Sequence, residues 1–283
     1  MPLLTVENLT IGFRRHDGEV NAAVKGIHFS MERGEGLAVV GESGSGKSVT
    51  ALSLARLLEE PPAVISGRIL LEGTDVLSLR GEALRKIRGQ RIAYIFQEPG
   101  AALNPVFSVR SQITEVLRAH RPEVKDTDAE CIRWLEEVGI TEPARRLGEY
   151  PHQLSGGMQQ RVMIAMALAA KPDILVADEP TTALDVTIQQ QIIALLTRLR
   201  KEYGMAVILI THNFGIIRGV ADRVAVMFRG HIVEDGPVDQ VLRSPRHPYT
   251  KALIDCIPRP GSGARRLAGI DHEALAALVN GKL

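Results

Sequence analysis

The feature that most constrains this chain is one octapeptide, GESGSGKS, at residues 41–48. It matches the phosphate-binding pattern G-x-x-x-x-G-K-[ST] at every fixed position. The apolar residues 36–40 before it predict a buried strand, and residues 49–58 after it predict a helix that Pro61 and Pro62 end. A chance glycine-rich turn would need neither of these flanking elements. The sequence therefore predicts a nucleotide site within an α/β fold.

The residue types in this loop indicate which part of a bound nucleotide each residue contacts. The glycines let backbone N–H groups surround a polyphosphate at a helix N-terminus, Lys47 reaches the β- and γ-phosphates, and the Ser48 hydroxyl is a ligand for Mg²⁺. The residues expected to contact the nucleotide are Gly41, Ser43, Gly44, Ser45, Gly46, Lys47, Ser48 and Val49.

Three further apolar runs end on polar residues. The runs at residues 92–96, 174–177 and 206–210 lead into Gln97, into Asp178 and Glu179, and into Thr211 and His212. Because open α/β sheets bind ligands at the carboxyl ends of their strands, we expect these side chains to converge beside the phosphate loop. Read alone, each has an ordinary alternative: a solvated turn, a surface amide or a loop histidine. Their shared position favours one site.

Phosphoryl transfer to water requires positioning and charge stabilisation from these groups. Asp178 is the expected outer partner of the Mg²⁺ shell, and Glu179 is the candidate general base or water-orienting group. His212 would hold the γ-phosphate and the attacking water in line. Gln97 would touch the metal or the water, since a carboxamide both donates and accepts hydrogen bonds.

A second glycine motif, LSGGMQQR, occupies residues 154–161. Ser155 is a predicted helix N-cap, Gly156 and Gly157 follow it, and an apolar stretch continues the helix. This is a second helix start suited to an anion. Read alone, it fits a capped core helix equally well. One chain with one phosphate loop has little use for a second γ-phosphate contact, so two chains facing head to tail fit the pattern.

Together these motifs resemble the nucleotide-binding subunit of ATP-binding cassette (ABC) transporters, over residues 1 to about 258. Five segments resemble the dipeptide, oligopeptide and nickel importer branch: VGESGSGKS, IFQEPGAALNP, YPHQLSGGMQQRVMIAMALA, ADEPTTALDVTIQQQI and RHPYTKAL. The resemblance implies a chain that binds and hydrolyses ATP with Mg²⁺ to energise uptake of di- or oligopeptides, or of nickel or a metallophore.

The resemblance adds three residues to the expected nucleotide contacts. Phe13 matches the aromatic residue that stacks on adenine, although a lone Phe ending a strand is more often part of a core. Gln159 belongs to the signature motif. Asp185 would act in cross-talk between two sites, and it is also a good N-cap for the helix that follows.

The implied fold is an α/β P-loop NTPase with a RecA-like core, an antiparallel β subdomain and a helical subdomain. We expect the core and β subdomain at residues 1–98 and 151–235, the helical subdomain at residues 99–150, and a C-terminal extension at residues 236–283. In the helical part Ile132, Leu135 and Val138 form an apolar stripe, and residues 224–233 predict a hairpin.

The composition limits which cofactors and partners we expect for this chain. Importers of this branch often carry a cysteine-rich tail that binds an iron–sulfur cluster, but this chain has only Cys131 and Cys256, so no cluster is expected. A net charge of +1 argues against nucleic-acid binding. The longest apolar stretch, residues 162–170, is too short to span a membrane, and no signal peptide opens the chain.

Transport thus requires separate membrane proteins. The resemblance implies a second, different ABC ATPase subunit, two transmembrane permease subunits and an extracytoplasmic substrate-binding protein, with this chain peripheral at the cytoplasmic face of the inner membrane. A soluble ABC-type ATPase of DNA repair or translation is the alternative, disfavoured by the single cassette and the lack of a heptad run. An interaction protein with an inactive nucleotide site is disfavoured because Lys47, Glu179 and His212 are all present.

Overall fold

Two β-sheets with helices packed around them form the structure, a computed structural model that describes residues 1–182 and 184–255. The strands are β1 (Leu4–Arg14), β2 (Val20–Met31), β3 (Gly36–Val40), β4 (Ala63–Leu71), β5 (Thr74–Asp75), β6 (Ile92–Ile95), β7 (Ile174–Asp178), β8 (Ala206–Thr211), β9 (Arg223–Phe228) and β10 (His231–Pro237). The helices are α1 (Lys47–Ser53), α2 (Gly81–Ile87), α3 (Pro99–Ala102), α4 (Val109–His120), α5 (Thr127–Glu137), α6 (Pro143–Arg146), α7 (Gly156–Ala169), α8 (Val186–Tyr203), α9 (Ile217–Val220), α10 (Val238–Arg243) and α11 (Pro248–Asp255).

The larger sheet has six strands in the order β10-β9-β3-β8-β7-β6. All neighbouring pairs are parallel except β10 with β9. Every residue of β3 and of β8 is buried, because helices or the second sheet cover both faces. This explains why both strands are almost continuous apolar runs. The predicted α/β class is confirmed, and the parallel strands end at one edge of the sheet.

The smaller sheet is antiparallel, in the order β2-β1-β4-β5. Its β1 strand largely alternates buried and less buried residues, so one face of the sheet packs on the core and the other meets solvent. The antiparallel β subdomain of the expected fold is confirmed, with β1, β2 and β4 as its three long strands.

Hydrophobic cores lie on both faces of the larger sheet. Successive side chains of a strand point to opposite faces, and β7 shows it: Ile174 and Val176 enter the core shared with the smaller sheet, whereas Leu175 and Ala177 enter the core beneath α4, α5, α7 and α8. Packing on both faces fixes the strand ends from which the polar motifs project.

The buried face of α5 contains the predicted apolar stripe and extends it. Cys131, Trp134, Leu135 and Val138 are buried, at the i, i+3, i+4, i+7 spacing of one helix face. Ile132 is partly buried and packs against the same core at the margin of this face, as predicted. The face also contains the chain's only tryptophan, which is 1% exposed.

Helix α1 is shorter than residues 49–58 predicted and ends at Ser53. Arg56 follows in a left-handed conformation with φ of 53°, and its guanidinium donates hydrogen bonds to the carbonyl oxygens of Leu77 at 3.3 Å and Leu79 at 2.8 Å. These contacts with a distant segment override the local helical pattern.

The hairpin predicted at residues 224–233 is confirmed as β9 and β10, which turn at Arg229 and Gly230. Helices α10 and α11 follow it within the predicted C-terminal extension. Residues 256–283 of that extension, including Cys256, lie outside the described residues. The expected domain boundaries stay a prediction.

Candidate functional site

The phosphate loop connects β3 to α1 and is shaped by glycines at its two ends. Gly46, the N-cap of α1, has φ of 104°, and a Cβ atom there would lie 2.8 Å from the carbonyl oxygen of Ala23. A Cβ atom at Gly41 would lie 2.2 Å from the carbonyl oxygen of Met227. The loop therefore needs glycine at both positions, since any other side chain would displace the backbone.

Lys47 lies inside this loop and is 6% exposed. Its Nζ donates hydrogen bonds to the carbonyl oxygens of Gly41 at 2.8 Å and Glu42 at 2.7 Å. Burial lowers the pKa of Lys47, and the negative charges of Glu179 and Asp178 oppose that shift. The site therefore combines one buried cation with two carboxylates from the end of β7.

Asp178 is the last residue of β7, and the Ser48 hydroxyl hydrogen-bonds to its carboxylate. Burial raises the pKa of Asp178, whereas the hydrogen bond from Ser48 opposes this. The Oδ1 atom of Asp178 is buried and has no hydrogen-bond partner among the residues that the structure describes. A buried carboxylate oxygen without a partner is costly, and a cation beside it would supply the missing interaction.

Glu179 is the centre of a hydrogen-bonded cluster at the strand ends. Its Oε2 accepts hydrogen bonds from Gln97 Nε2 at 3.2 Å and from Thr182 Oγ1 at 2.8 Å, and its Oε1 lies 3.0 Å from His212 Nδ1. Burial raises the pKa of Glu179, but the bonds with His212 and Thr182 outweigh it, so the net shift is downward. The carboxylate is thereby held ionised and oriented.

The cluster uses one residue that the sequence analysis missed, Thr182. It follows Glu179 by three residues, and Glu179 itself has a positive φ of 45°. That turn lets the Thr182 hydroxyl reach back to the carboxylate. The sequence did contain a signal for Thr182, because it has a hydroxyl group three positions after a candidate base at the end of a strand.

The phosphate loop and the Glu179 cluster line one cavity of about 590 Å³. Its lining residues are Ala23, Ser43, Gly44, Gly46, Lys47, Ser48, Val49, Gln97, Glu179, Thr182 and His212. The volume suits a nucleotide-sized ligand. Phe13, near the end of β1, is half-buried and does not line this cavity, so its expected contact with adenine stays a prediction.

The structure does not bring the remaining predicted residues into this cavity. We call Ser155, Gly156, Gly157 and Asp185 the signature edge. Ser155 caps α7 by accepting a hydrogen bond from Met158 N at 3.4 Å, and Asp185 caps α8 by accepting one from Ile188 N at 3.0 Å. Ser155, Gly156 and Asp185 are exposed.

The two helix starts of the signature edge are neighbours in space. A Cβ atom at Gly157 would lie 3.3 Å from Cγ2 of Ile188, in the first turn of α8. Gln159 does not point out from the edge: its Nε2 donates to the carbonyl oxygens of Pro151 at 2.8 Å and Leu154 at 3.3 Å. In this structure Gln159 thus holds the loop before α7, a role that the sequence analysis did not foresee.

Two further properties bear on the class of protein. Within residues 1–182 and 184–255, no helix has the length and apolar character needed to cross a membrane. The same residues contain no group of three or more His, Cys, Asp or Glu side chains placed to hold a metal ion. Cys131 is buried and Cys256 is not described, so the expected lack of an iron–sulfur cluster stays a prediction.

Comparison with known proteins gives two family matches. The model of the ABC transporter family matches residues 24–182, and that of the oligopeptide/dipeptide transporter C-terminal region matches residues 233–281. The first covers the phosphate loop, Gln97, Ser155, Glu179 and Thr182, but not His212. The second covers most of β10 and all of α10 and α11.

Two curated relatives are each 48% identical to the chain. One is the oligopeptide transport ATP-binding protein OppD of Bacillus subtilis (strain 168), aligned over 95% of this chain and 75% of that protein. The other is the glutathione import ATP-binding protein GsiA of Escherichia coli (strain K12), aligned over 98% of this chain and 45% of that protein. The chain therefore spans less than half the length of GsiA.

Solved structures have the same fold. The dimeric ATP-binding cassette MJ0796 in a post-hydrolysis state with ADP and Pi matches with a TM-score of 0.73 at 28% identity, over 83% of this chain and 98% of that one. CbiO1 of Clostridium perfringens, part of the ABC transporter complex CbiONQ, matches with a TM-score of 0.72 at 30% identity, over 86% and 91%. The chain belongs to the ABC transporter family, as an ATP-binding and ATP-hydrolysing subunit.

Proposed function

We propose that this chain energises the import of di- or oligopeptides by hydrolysing ATP at the cavity around Lys47 and Glu179. The observation that carries the proposal is the match of residues 233–281 to the oligopeptide/dipeptide transporter C-terminal region, in a chain with a full set of phosphate-site residues. The named substrates of OppD and GsiA, an oligopeptide and the tripeptide glutathione, belong to the same chemical class.

We assign the triphosphate to the phosphate loop. Its backbone N–H groups, the N-terminus of α1 and the Lys47 ammonium together provide positive potential around the phosphates. Ser48, Asp178 and Gln97 are the residues that would hold Mg²⁺, and the partnerless Oδ1 of Asp178 supports this set. Mg²⁺ would neutralise charge on the β- and γ-phosphate oxygens.

In the hydrolysis step, the oxygen of a water molecule attacks the γ-phosphorus while the bond to the ADP oxygen breaks. Glu179 accepts a proton from that water, because its hydrogen bonds keep the carboxylate ionised. His212 and Gln97 contact Glu179 from β8 and β6, so they orient the base and lie beside the attacking water. This assigns the catalytic roles to Glu179, His212 and Gln97.

The signature edge would contact the nucleotide of a second ATPase subunit. Ser155 and Gly156 are exposed at the start of α7, where free backbone N–H groups favour an anion. Asp185 lies on the same edge and would face the partner. We propose a head-to-tail pair of two different cassettes, in which each phosphate loop receives the other subunit's signature edge.

Permease subunits would dock at an apolar cavity of about 240 Å³ that lies between β6 and the helices α4 and α7. Leu103, Val116, Met163 and Met166 line it. The exposed side chains of Phe96, Val106 and Phe107 extend the apolar surface nearby. Such a groove suits a short helix, which would hold the chain at the cytoplasmic face of the inner membrane. A substrate-binding protein would deliver peptide from the other side.

Peptide uptake in cells tests the transport function. Cells that lack this chain should lose uptake of a labelled oligopeptide, and the wild-type chain should restore it. The Glu179→Gln variant, expressed at the same level, should not. Unchanged uptake of di- and oligopeptides in the deletion strain would contradict the proposed substrate class.

A further inference from the structure

One contact reaches the phosphate loop from the C-terminal part of the chain. The backbone N–H of Glu42 donates a hydrogen bond of 3.0 Å to the hydroxyl of Tyr249, which lies 207 residues later in α11. The Tyr249 side chain is fully buried. The bond therefore joins the second residue of the phosphate loop to a packed, distant segment.

Both backbone groups of Glu42 are held. Its carbonyl oxygen accepts hydrogen bonds from Lys47 Nζ at 2.7 Å and from Ser45 N at 3.2 Å. Its N–H is held by Tyr249. Because these groups belong to one residue, the tyrosine hydroxyl fixes the backbone unit that orients the lysine ammonium.

The ring of Tyr249 and the backbone before it are held by contacts that include β9 and β10. The Tyr249 ring packs on Phe228, with 4.2 Å between ring centroids. The Tyr249 N–H donates to Nδ1 of His247 at 3.1 Å. The Glu234 carboxylate accepts hydrogen bonds from the N–H groups of Arg246 at 2.8 Å and His247 at 3.0 Å. Few rotations remain for a side chain with this many constraints.

Burial also keeps the hydroxyl protonated, since it raises the pKa of Tyr249 to about 12. The same hairpin makes a second contact with the loop, because Gly230 N donates to the carbonyl oxygen of Ser45 at 3.0 Å. Within the described residues, these two hydrogen bonds connect the phosphate loop to the C-terminal part of the chain, and the one to Tyr249 involves a side chain.

We propose that Tyr249 is a positioning residue of the phosphate loop, and that its hydroxyl tightens ATP binding by holding the Glu42 backbone. It touches no substrate. This inference rests on the nucleotide site proposed above, and it assigns the C-terminal segment a part in nucleotide affinity.

The test is Tyr249→Phe in the full chain, which removes the hydroxyl and keeps the packed ring. Loss of one hydrogen bond of this kind should weaken ATP binding by roughly two- to tenfold in calorimetry. In the assembled transporter, KM for ATP should rise by a similar factor while kcat stays close to wild type, because the base and the signature edge are unchanged.

Thr250→Val is the matched control. Thr250 is the next residue of α11 and is fully buried, and its hydroxyl has no hydrogen-bond partner in the described part of the chain. It should bind ATP as the wild type does. Equal ATP affinity in Tyr249→Phe and wild type, or equal weakening in both variants, would overturn the inference. A wild-type chain that fails to bind ATP would instead overturn the nucleotide site on which the inference rests.

Discussion

The nucleotide cavity and the signature edge contain similar groups, but the structure surrounds them differently. In the cavity, Glu179 is bonded by side chains from three other positions, Gln97, Thr182 and His212. At the signature edge, the Ser155 and Asp185 oxygens accept hydrogen bonds from the first turns of their own helices, and both residues are exposed.

This difference is what we expect between a site that one chain makes alone and the half of a site that the proposed pair of cassettes would share. The cavity groups constrain one another, so this chain alone sets their geometry. The signature edge has a helix N-terminus that suits an anion. However, none of its residues lines the cavity that contains the phosphate loop of the same chain. Under the proposed head-to-tail pair, the ligand at that edge would be the nucleotide bound to a second cassette; the MJ0796 cassette was solved as a dimer.

Glu179→Gln tests the cavity and should have the largest effect. The amide keeps the shape of the side chain but cannot accept the proton of the attacking water, so turnover should fall by roughly 10² to 10⁴-fold. ATP should still bind and should hold two cassettes together, which light scattering would detect as a larger species.

The control for this variant is Glu136→Gln, the same change at an exposed position of α5. It should hydrolyse ATP at the wild-type rate. If Glu179→Gln does so too, the carboxylate of Glu179 is not the base, and the hydrogen-bonded cluster only shapes the cavity.

Ser155→Arg tests the signature edge. An arginine there would obstruct a partner's phosphate loop, and loss of one preorganised donor costs roughly 3 to 4 kcal/mol, or about 10² to 10³ in rate. Turnover of the assembled transporter should fall by this factor, whereas the isolated chain should bind ATP with unchanged affinity. Measuring the two quantities separately distinguishes the edge from the cavity.

Asp126→Arg is the control at another helix start. Asp126 caps α5 by accepting a hydrogen bond from Ala129 N at 3.0 Å, as Ser155 caps α7. It should leave turnover close to wild type. Full turnover in Ser155→Arg, or loss of ATP affinity in the isolated variant, would show that the signature edge does not act across an interface.

The same contrast explains what could be predicted from the sequence. Asp178, Glu179 and His212 were found because parallel strands end at one edge, which places residues at strand ends together whatever their sequence separation. Ser155 and Asp185 were found as caps because capping is a local interaction. Both rules need only a strand or helix boundary, which apolar runs indicate well.

Contacts between unrelated segments could not be predicted in this way. The bond between Tyr249 and Glu42 joins residues 207 positions apart, and no periodic pattern specifies it. The early end of α1 depends on Arg56 reaching carbonyl oxygens near residue 78. Such contacts follow from packing of the whole fold rather than from local preference.

Lys47→Ala tests whether the cavity binds the phosphates, and its effect should be the smallest of the three. At a hundredfold excess over the dissociation constant, MgATP should stabilise the wild-type chain by about 2.7 kcal/mol, seen as a rise in Tm. The variant lacks the cation beside the phosphates, so most of this rise should vanish. Lys125 is an exposed lysine between α4 and α5, and Lys125→Ala should keep the full rise in Tm. An undiminished rise in Lys47→Ala would place the phosphates elsewhere, and the distinction between cavity and signature edge would fail.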